Sequence, residues 1–359
     1  MIVFDLVLAT RRSAMTGVER YGVRLFEAVR AVCPDTVAFA HDDAAFSDRR
    51  GLILVSSVYG GWFNLPASIA KLGQEVEVAV FPTAPASPLF LLAATRLCRI
   101  VHDVFPWVRS KTMPLKGRLL YRDVENLMLR RYRPLLGTTQ TVAEELRSVT
   151  GLPDVRFCGN GPGLDLHGPQ QSIDGIPDRF VLVVGTVEPR KNYARLIEMI
   201  ESDNPKALPV VLVGRPGWGN IVDAVAALAE RKRKHFTWLR NMTGDDGLRW
   251  LYRRAACLVS LSEAEGFNMP LVEGAGNGRP VVCSDIPIHR AVAPPWARFV
   301  AADADPGSVW REIDAAAGSP PSRSAIETYS RKYSWDQVAT SLLRELASSN
   351  AFRLAGELD

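Results

Sequence analysis

Two glutamates, Glu265 and Glu273, stand eight residues apart in SEAEGFNMPLVEGAGNGRPVV, Ser262–Val282. A chain with 39 acidic residues holds such pairs by chance, so their setting has to give them meaning. Cys257–Ser262 reads as a buried strand, and Met269-Pro-Leu-Val-Glu opens a helix with Pro270 suited to its first turn. Gly266 and Asn268 tolerate positive φ, so the connection through Phe267 can turn sharply. Strand, tight turn and helix N-terminus together present backbone amides to an anion without needing a side chain. Glu265 lies at the strand end. Glu273, one turn into the helix, can accept two hydrogen bonds from a vicinal diol such as a ribose. It can equally complement the helix dipole, and residue type alone leaves both readings open.

The elements needed to hold such a turn are present. Strand-like and helix-like segments alternate almost throughout, the pattern of parallel sheets with helices on both faces. Strands are expected at Ile2–Ala9, Gly51–Ser56, Val76–Phe81 and Arg99–Val104, with helices at Val18–Val32, Leu115–Tyr132 and Thr141–Val149. A second series begins at Phe180–Gly185 and continues at Pro209–Gly214, Phe236–Leu239, Cys257–Leu261 and Pro280–Cys283. Between them, GNGPGLDLHGPQQSIDGIPD has linker composition. The expectation is two doubly wound α/β domains of similar size, joined near residue 170 and facing a cleft.

The 359 residues, 47% hydrophobic and 23% charged, suit two globular domains better than one core. No apolar run approaches the roughly 20 residues that span a bilayer. The opening Met-Ile-Val-Phe-Asp-Leu lacks a basic n-region and a cleavage site, so a cytoplasmic protein is expected. Five scattered cysteines have neither zinc nor disulfide spacing and read as reduced, buried thiols. A net charge of +4 does not indicate nucleic acid. Gly159-Asn-Gly-Pro-Gly163 opens no helix and reads as a loop. Gly214-Arg-Pro-Gly-Trp-Gly219, between strand and helix, is either a backbone approach to a phosphate or a tight corner. Asp303-Ala-Asp305 is the one Asp-x-Asp; Asp305-Pro306 reads as a helix cap rather than a metal site.

Ser262–Val282 resembles the E-x7-E signature of retaining glycosyltransferase family 4, and five further fragments fall in the family's order. GTVEPRKNYARLIE (Gly185–Glu198) and LRWLYRRAACLVSLS (Leu248–Ser262) are the strong ones. Thr16-Gly17-Val-Glu-Arg-Tyr21, Val101-His102-Asp103 and Gly159-Asn-Gly161 are weaker. The likeness covers nearly the whole chain and is loose before residue 100. The sequence departs where Asn268 replaces a usual Gly and where Gly274 and Gly276 replace Ala. Asn can keep the turn. The two helix glycines imply either a looser helix or a close approach.

The resemblance implies the two-domain GT-B fold: residues 1–168 binding acceptor, residues 175–340 binding a nucleotide sugar, and a last helix (about 341–359) crossing back to the first domain. Ser334 is placed to cap that helix. It also implies a catalytic set of His102, Glu265, Arg190 and Lys191. Arg190 and Lys191 can meet a diphosphate as a planar fork and a point charge. His102 would act as a polar contact or proton relay, and Glu265 would touch hydroxyls of the transferred sugar. The donor set adds Gly17, Asp103, Gly185, Thr186, Arg240, Asn241, Gly266, Phe267, Asn268, Met269 and Glu273, with the nucleobase near Trp238–Thr243. No metal and no cofactor are expected. The implied partners are a nucleotide-sugar donor, GDP-mannose-like by the GTxEPRKN form, and an oligosaccharide or lipid-linked acceptor extended as a surface polysaccharide. A sugar-nucleotide 2-epimerase on the same fold and a non-catalytic nucleotide-sugar-binding protein are the alternatives. Residues 109–133 carry eight Lys/Arg against Asp123 and Glu125, with apolar positions at helical spacing. They form either a weak contact with an anionic membrane or a solvated face on a packed helix.

Overall fold

The computed structural model describes the chain apart from residues 12–14, 109–112, 114, 203, 205, 206, 243 and 357–359, with side chains to residue 348. Arg109 and Lys111 of the basic segment, and Thr243, lie outside the described residues. The chain divides into two compact units, one built from Met1–Gly163 with the segment from Ser334 onward, the other from Leu164–Tyr333.

In the first unit, seven strands form one parallel sheet: β1 Ile2–Asp5, β2 Val37–Ala40, β3 Leu52–Leu54, β4 Val78–Phe81, β5 Leu97–Val101, β6 Tyr132–Gly137 and β7 Val155–Phe157. Their order is β3-β2-β1-β4-β5-β6-β7, so the chain reverses direction across the sheet between β1 and β4. The expected Ile2–Ala9 strand stops at Asp5, because Val7 N turns to bond Asp5 Oδ1 (3.0 Å) and Thr10 N bonds Leu6 O (3.0 Å). The helix Gly17–Val32 begins with a reciprocal capping box between Thr16 and Glu19. Val338, Ala339, Leu342 and Leu346 of the last helix, Trp335–Gly356, are buried, and that helix packs on Gly17–Val32 and β6. Trp335 Nε1 donates to Pro162 O (2.9 Å), and Arg156 pairs with Glu345 (2.6 Å).

The single helix expected over Leu115–Tyr132 is instead four pieces: α-helix Leu115–Arg118, a π-helical stretch Leu119–Val124, α-helix Glu125–Met128 and a 3₁₀ turn Leu129–Arg131. A physical reason lies in Glu125, which turns inward to meet Arg99 of β5 at 2.9 Å, both side chains fully buried. Arg99 also donates to Phe81 O (2.9 Å), so this interior pair is well hydrogen-bonded.

The second unit is a six-stranded parallel sheet: β8 Val181–Val184, β9 Val210–Val213, β10 Phe236–Leu239, β11 Cys257–Ser260, β12 Val281–Ser284 and β13 Arg298–Val300. Its order is β10-β9-β8-β11-β12-β13, with the reversal between β8 and β11. Successive residues feed two separate cores: Val181, Val183, Leu212 and Val259 on one face, Leu182, Val211, Val213 and Leu258 on the other. Burial on both faces makes these strands continuous apolar runs rather than alternating ones. The sequence expectation of two doubly wound α/β domains therefore holds.

Candidate active site

Most of the candidate residues of the second unit lie at the carboxyl edge of its sheet, and Arg190, Lys191 and Glu265 flank the reversal between β8 and β11, the position where open α/β sheets bind ligands. From β8 the chain passes Gly185 and Thr186 into the 3₁₀ turn Pro189–Lys191, which delivers Arg190 and Lys191. From β11 it passes Ser262 to Glu265. The two segments meet: Lys191 Nζ lies 2.6 Å from Glu265 Oε1, Arg190 Nη1 lies 2.5 Å from Oε2, and Ser262 Oγ donates to Oε1 at 2.7 Å. Arg190 Nε also reaches Glu188 Oε1 at 2.6 Å. The Glu265 side chain is only 4% exposed, and burial alone would raise its carboxyl. The charges of Lys191 and Arg190, with hydrogen bonds from Lys191 and Ser262, reverse that and hold it well below the usual carboxylate range. Glu188, with burial as the largest influence, is raised despite the same two cations.

Of the two residues expected to permit a sharp turn after Glu265, Asn268 takes positive φ and Gly266 does not. Asn268 is left-handed (φ 71°) and its side chain does not cap the helix Met269–Gly276. The helix glycines mark a close approach. A Cβ on Gly274 would lie 2.6 Å from Leu258 Cδ2, and one on Gly276 2.6 Å from Leu166 Cδ1. Glu273 is 5% exposed; its Oε2 accepts from Tyr252 Oη (2.7 Å) and its Oε1 from Leu164 N (3.2 Å). Both the diol and the dipole readings must now include those two internal bonds. Phe267 is buried in the core beside Tyr333, so it offers the site its backbone.

The glycine turn after β9 packs on the turn after β8. Val187 and Pro216 pair as a parallel bridge, and Gly217 N donates to Val187 O at 3.0 Å. A Cβ on Gly214 would collide with Gly185 O, which favours the corner reading of Gly214–Gly219. Past β10, Arg240 lies over the Trp238 ring, 4.2 Å from its centroid, and Asn241 is exposed.

In the first unit His102 and Asp103 follow β5. His102 Nε2 lies 2.7 Å from Pro82 O, an acceptor only, so Nε2 carries the proton and Nδ1 is the acceptor. Burial lowers this histidine to about 4, against the Pro82 hydrogen bond, which leaves the ring neutral at ordinary pH. It suits a hydroxyl acceptor better than a proton relay. Asp103 Oδ1 accepts from Phe105 N (3.0 Å), and Gly17 is the first residue of its helix.

Sequence reasoning missed Ser262, Tyr252 and His289, all of which bear on the two glutamates or the turn. The first two stand inside quoted fragments; His289 carries no local signal. At the other expected motif, Asp305 Oδ1 accepts from Ser308 N (2.9 Å), capping the helix Pro306–Ala317.

Comparison with known proteins gives this site a context. Residues 171–333 match the family described as "Glycosyl transferases group 1". The chain is 24% identical over 353 residues to the serotype-specific mannosyltransferase WbdA of Escherichia coli, a match covering 87% of this chain and 41% of WbdA. It thus spans about two fifths of that relative. It is 22% identical to a GDP-mannose:cellobiosyl-diphosphopolyprenol alpha-mannosyltransferase of Xanthomonas oryzae, over 90% of both chains. The fold matches that of Anabaena HepE, solved with UDP and glucose, with a TM-score of 0.70, 15% identity, and 97% of this chain and 99% of that one covered. The carboxyl-edge cluster at the β8/β11 reversal therefore lies inside the segment that is similar to the group 1 glycosyltransferases, and the chain that carries it has the two-unit GT-B fold.

Proposed function

We propose that the chain is a retaining, metal-independent glycosyltransferase that moves a mannosyl residue from GDP-mannose to a glycan or lipid-linked saccharide. One observation carries this reading: Glu265 held between Arg190 and Lys191 at the β8/β11 reversal, eight residues before Glu273. The names of the mannosyltransferase relatives support the choice of donor.

In the reaction, the bond between the anomeric carbon and the diphosphate oxygen breaks and its electron pair leaves with the phosphate. Arg190, Lys191 and the first-turn amides of Met269–Gly276 meet the growing negative charge, the task a divalent ion would otherwise perform. Glu265 orients hydroxyls of the mannose. Its charge is already balanced by two cations, so it is a poor nucleophile, which favours direct attack by the acceptor hydroxyl on the face the phosphate leaves. The acceptor oxygen bonds to the anomeric carbon, and its proton passes to the departing phosphate oxygen. Glu273 holds the ribose diol, and neutral His102 accepts a hydrogen from a sugar hydroxyl.

No helix among the described residues is long and apolar enough to cross a membrane. Leu115, Leu119 and Leu127 are exposed beside Lys116, Arg118 and Arg122, and this face would rest on an anionic membrane surface where a lipid-linked acceptor is presented.

The test is turnover of GDP-mannose with a polyprenyl-diphosphate-linked oligosaccharide, followed by NMR of the product. An α-linked mannoside formed in the presence of EDTA is expected. Interconversion of the donor with no acceptor present would make the chain an epimerase, and binding without turnover would make it a nucleotide-sugar-binding protein.

A further inference from the structure

Behind the turn that follows Glu265 lies a buried polar chain. His289, in the helix Pro287–Val292, is fully buried, and its Nδ1 faces Ser284 O at 2.8 Å and Ser284 Oγ at 3.1 Å. Ser284 Oγ itself donates to Ser262 O. A carbonyl only accepts, so Nδ1 carries the imidazole proton and Nε2 presents a lone pair. Asn268 Nδ2 lies 2.8 Å from that Nε2 and 2.8 Å from Ser260 Oγ, so the amide nitrogen has two acceptors. Among the described residues Asn268 Oδ1 is buried without a hydrogen-bond partner, so the side chain is held by its nitrogen. From Ser260 the chain continues through Ser262 Oγ (3.4 Å) to Glu265 Oε1 (2.7 Å).

Glycine would take φ 71° without strain, whereas asparagine takes it at some cost. What asparagine adds is the tether. We propose that Asn268 and His289 are a positioning pair: the buried imidazole fixes the left-handed residue, and through it the amides of Gly266–Met269 and the carboxylate of Glu265. This rests on the reading above that the turn holds the donor. The side chain of Asn268 then works from behind the site rather than as a donor ligand.

The pair is tested by imidazole ¹⁵N and backbone amide spectra together with kinetics, in the full chain. His289 signals are assigned by their loss in His289→Gln. The wild type should show the neutral Nδ1–H tautomer, and Asn268→Gly should move the Nε2 resonance toward a free acceptor and shift the Gly266, Phe267 and Met269 amides. An Nε2–H ring, or amides unmoved beyond residue 268, overturns the proposal. In GDP-mannose turnover, Asn268→Gly and His289→Ala should each lower kcat about tenfold. The double variant should be no worse than either alone, as for partners in one interaction. His289→Gln, which offers an acceptor to Asn268 and a donor to Ser284, should recover most of the loss. Wild-type kcat in Asn268→Gly, or losses that multiply, would show the pair does not position the turn. If His289→Ala fails to fold, Asn268→Gly and His289→Gln carry the comparison. If the wild type transfers no mannose, the proposed function falls while the two spectra still decide the pair.

Discussion

Replacing Glu273 separates its two tasks. The buried carboxylate accepts from Tyr252 Oη at 2.7 Å and Leu164 N at 3.2 Å, so Glu273→Ala strands two interior donors. At about 1–3 kcal/mol for each unsatisfied buried group, that change alone would cost roughly 2–6 kcal/mol of stability and confuse any binding result. Glu273→Gln is the cleaner perturbation. The amide keeps one acceptor for Leu164, and Tyr252 can reverse its hydroxyl to accept from the new NH₂, so the stability cost should be about 1 kcal/mol. A ribose diol would lose a charged acceptor, worth about 1.5–3 kcal/mol, or roughly a 10- to 100-fold weaker Kd. Calorimetry with GDP on the two proteins, with melting followed in parallel, makes the comparison. A Glu273→Gln protein that melts near the wild type and binds GDP equally well would refute the ribose role and leave Glu273 as a brace between Tyr252 and Leu164.

Four other outcomes are expected. Turnover should persist within about twofold in excess EDTA; loss on chelation restored by Mg²⁺ or Mn²⁺ would contradict the cationic role of Arg190 and Lys191. Glu265→Gln should leave GDP affinity within about threefold while lowering kcat by roughly 10²–10³-fold, checked by calorimetry and steady-state kinetics. Asp5, buried with no partner for Oδ2 among the described residues, is pushed up to about 7, chiefly by burial. Its raised folded value means the stability from the neutral form is present at low pH and lost as pH rises through about 7, so Asp5→Asn should stabilise the fold more at pH 8 than at pH 5, by an excess of about 3 kcal/mol seen in denaturant melts. Gly214→Ala should destabilise the second unit by about 1–3 kcal/mol or more, seen in denaturant melts, because its Cβ meets a backbone carbonyl that cannot swing aside.

The second unit was the more legible half. Its strands are buried on both faces and so stand out as apolar runs, and residue type marked Asn268 as able to take the left-handed conformation it has. The first unit hid more. β2, β7 and β13 of the two sheets are short, and β6, though six residues long, follows directly on a helical pattern, so the pattern places Tyr132 in a helix although it opens a strand. Glu125 looked solvated because helical spacing says nothing of Arg99, 26 residues earlier, waiting in the core. The same limit applies at the site. Spacing announces that Glu265 and Glu273 share a turn, but Lys191 comes to Glu265 from 74 residues away, and Tyr252 to Glu273 from 21. His289 was invisible because a buried histidine bonded to a main-chain carbonyl leaves no pattern in its neighbourhood.

The most direct measurement is a melting titration with GDP, UDP, dTDP and CMP. At a hundredfold excess over Kd, a ligand bound only by the folded chain adds about 2.7 kcal/mol, which for a domain of this size is a rise of roughly 5–10 °C. That rise is expected for GDP, with smaller ones for UDP and dTDP, and it should be lost in a Lys191→Met, Arg190→Met double variant. A melting temperature unmoved by all four nucleotides would contradict a nucleotide-sugar site at the β8/β11 reversal.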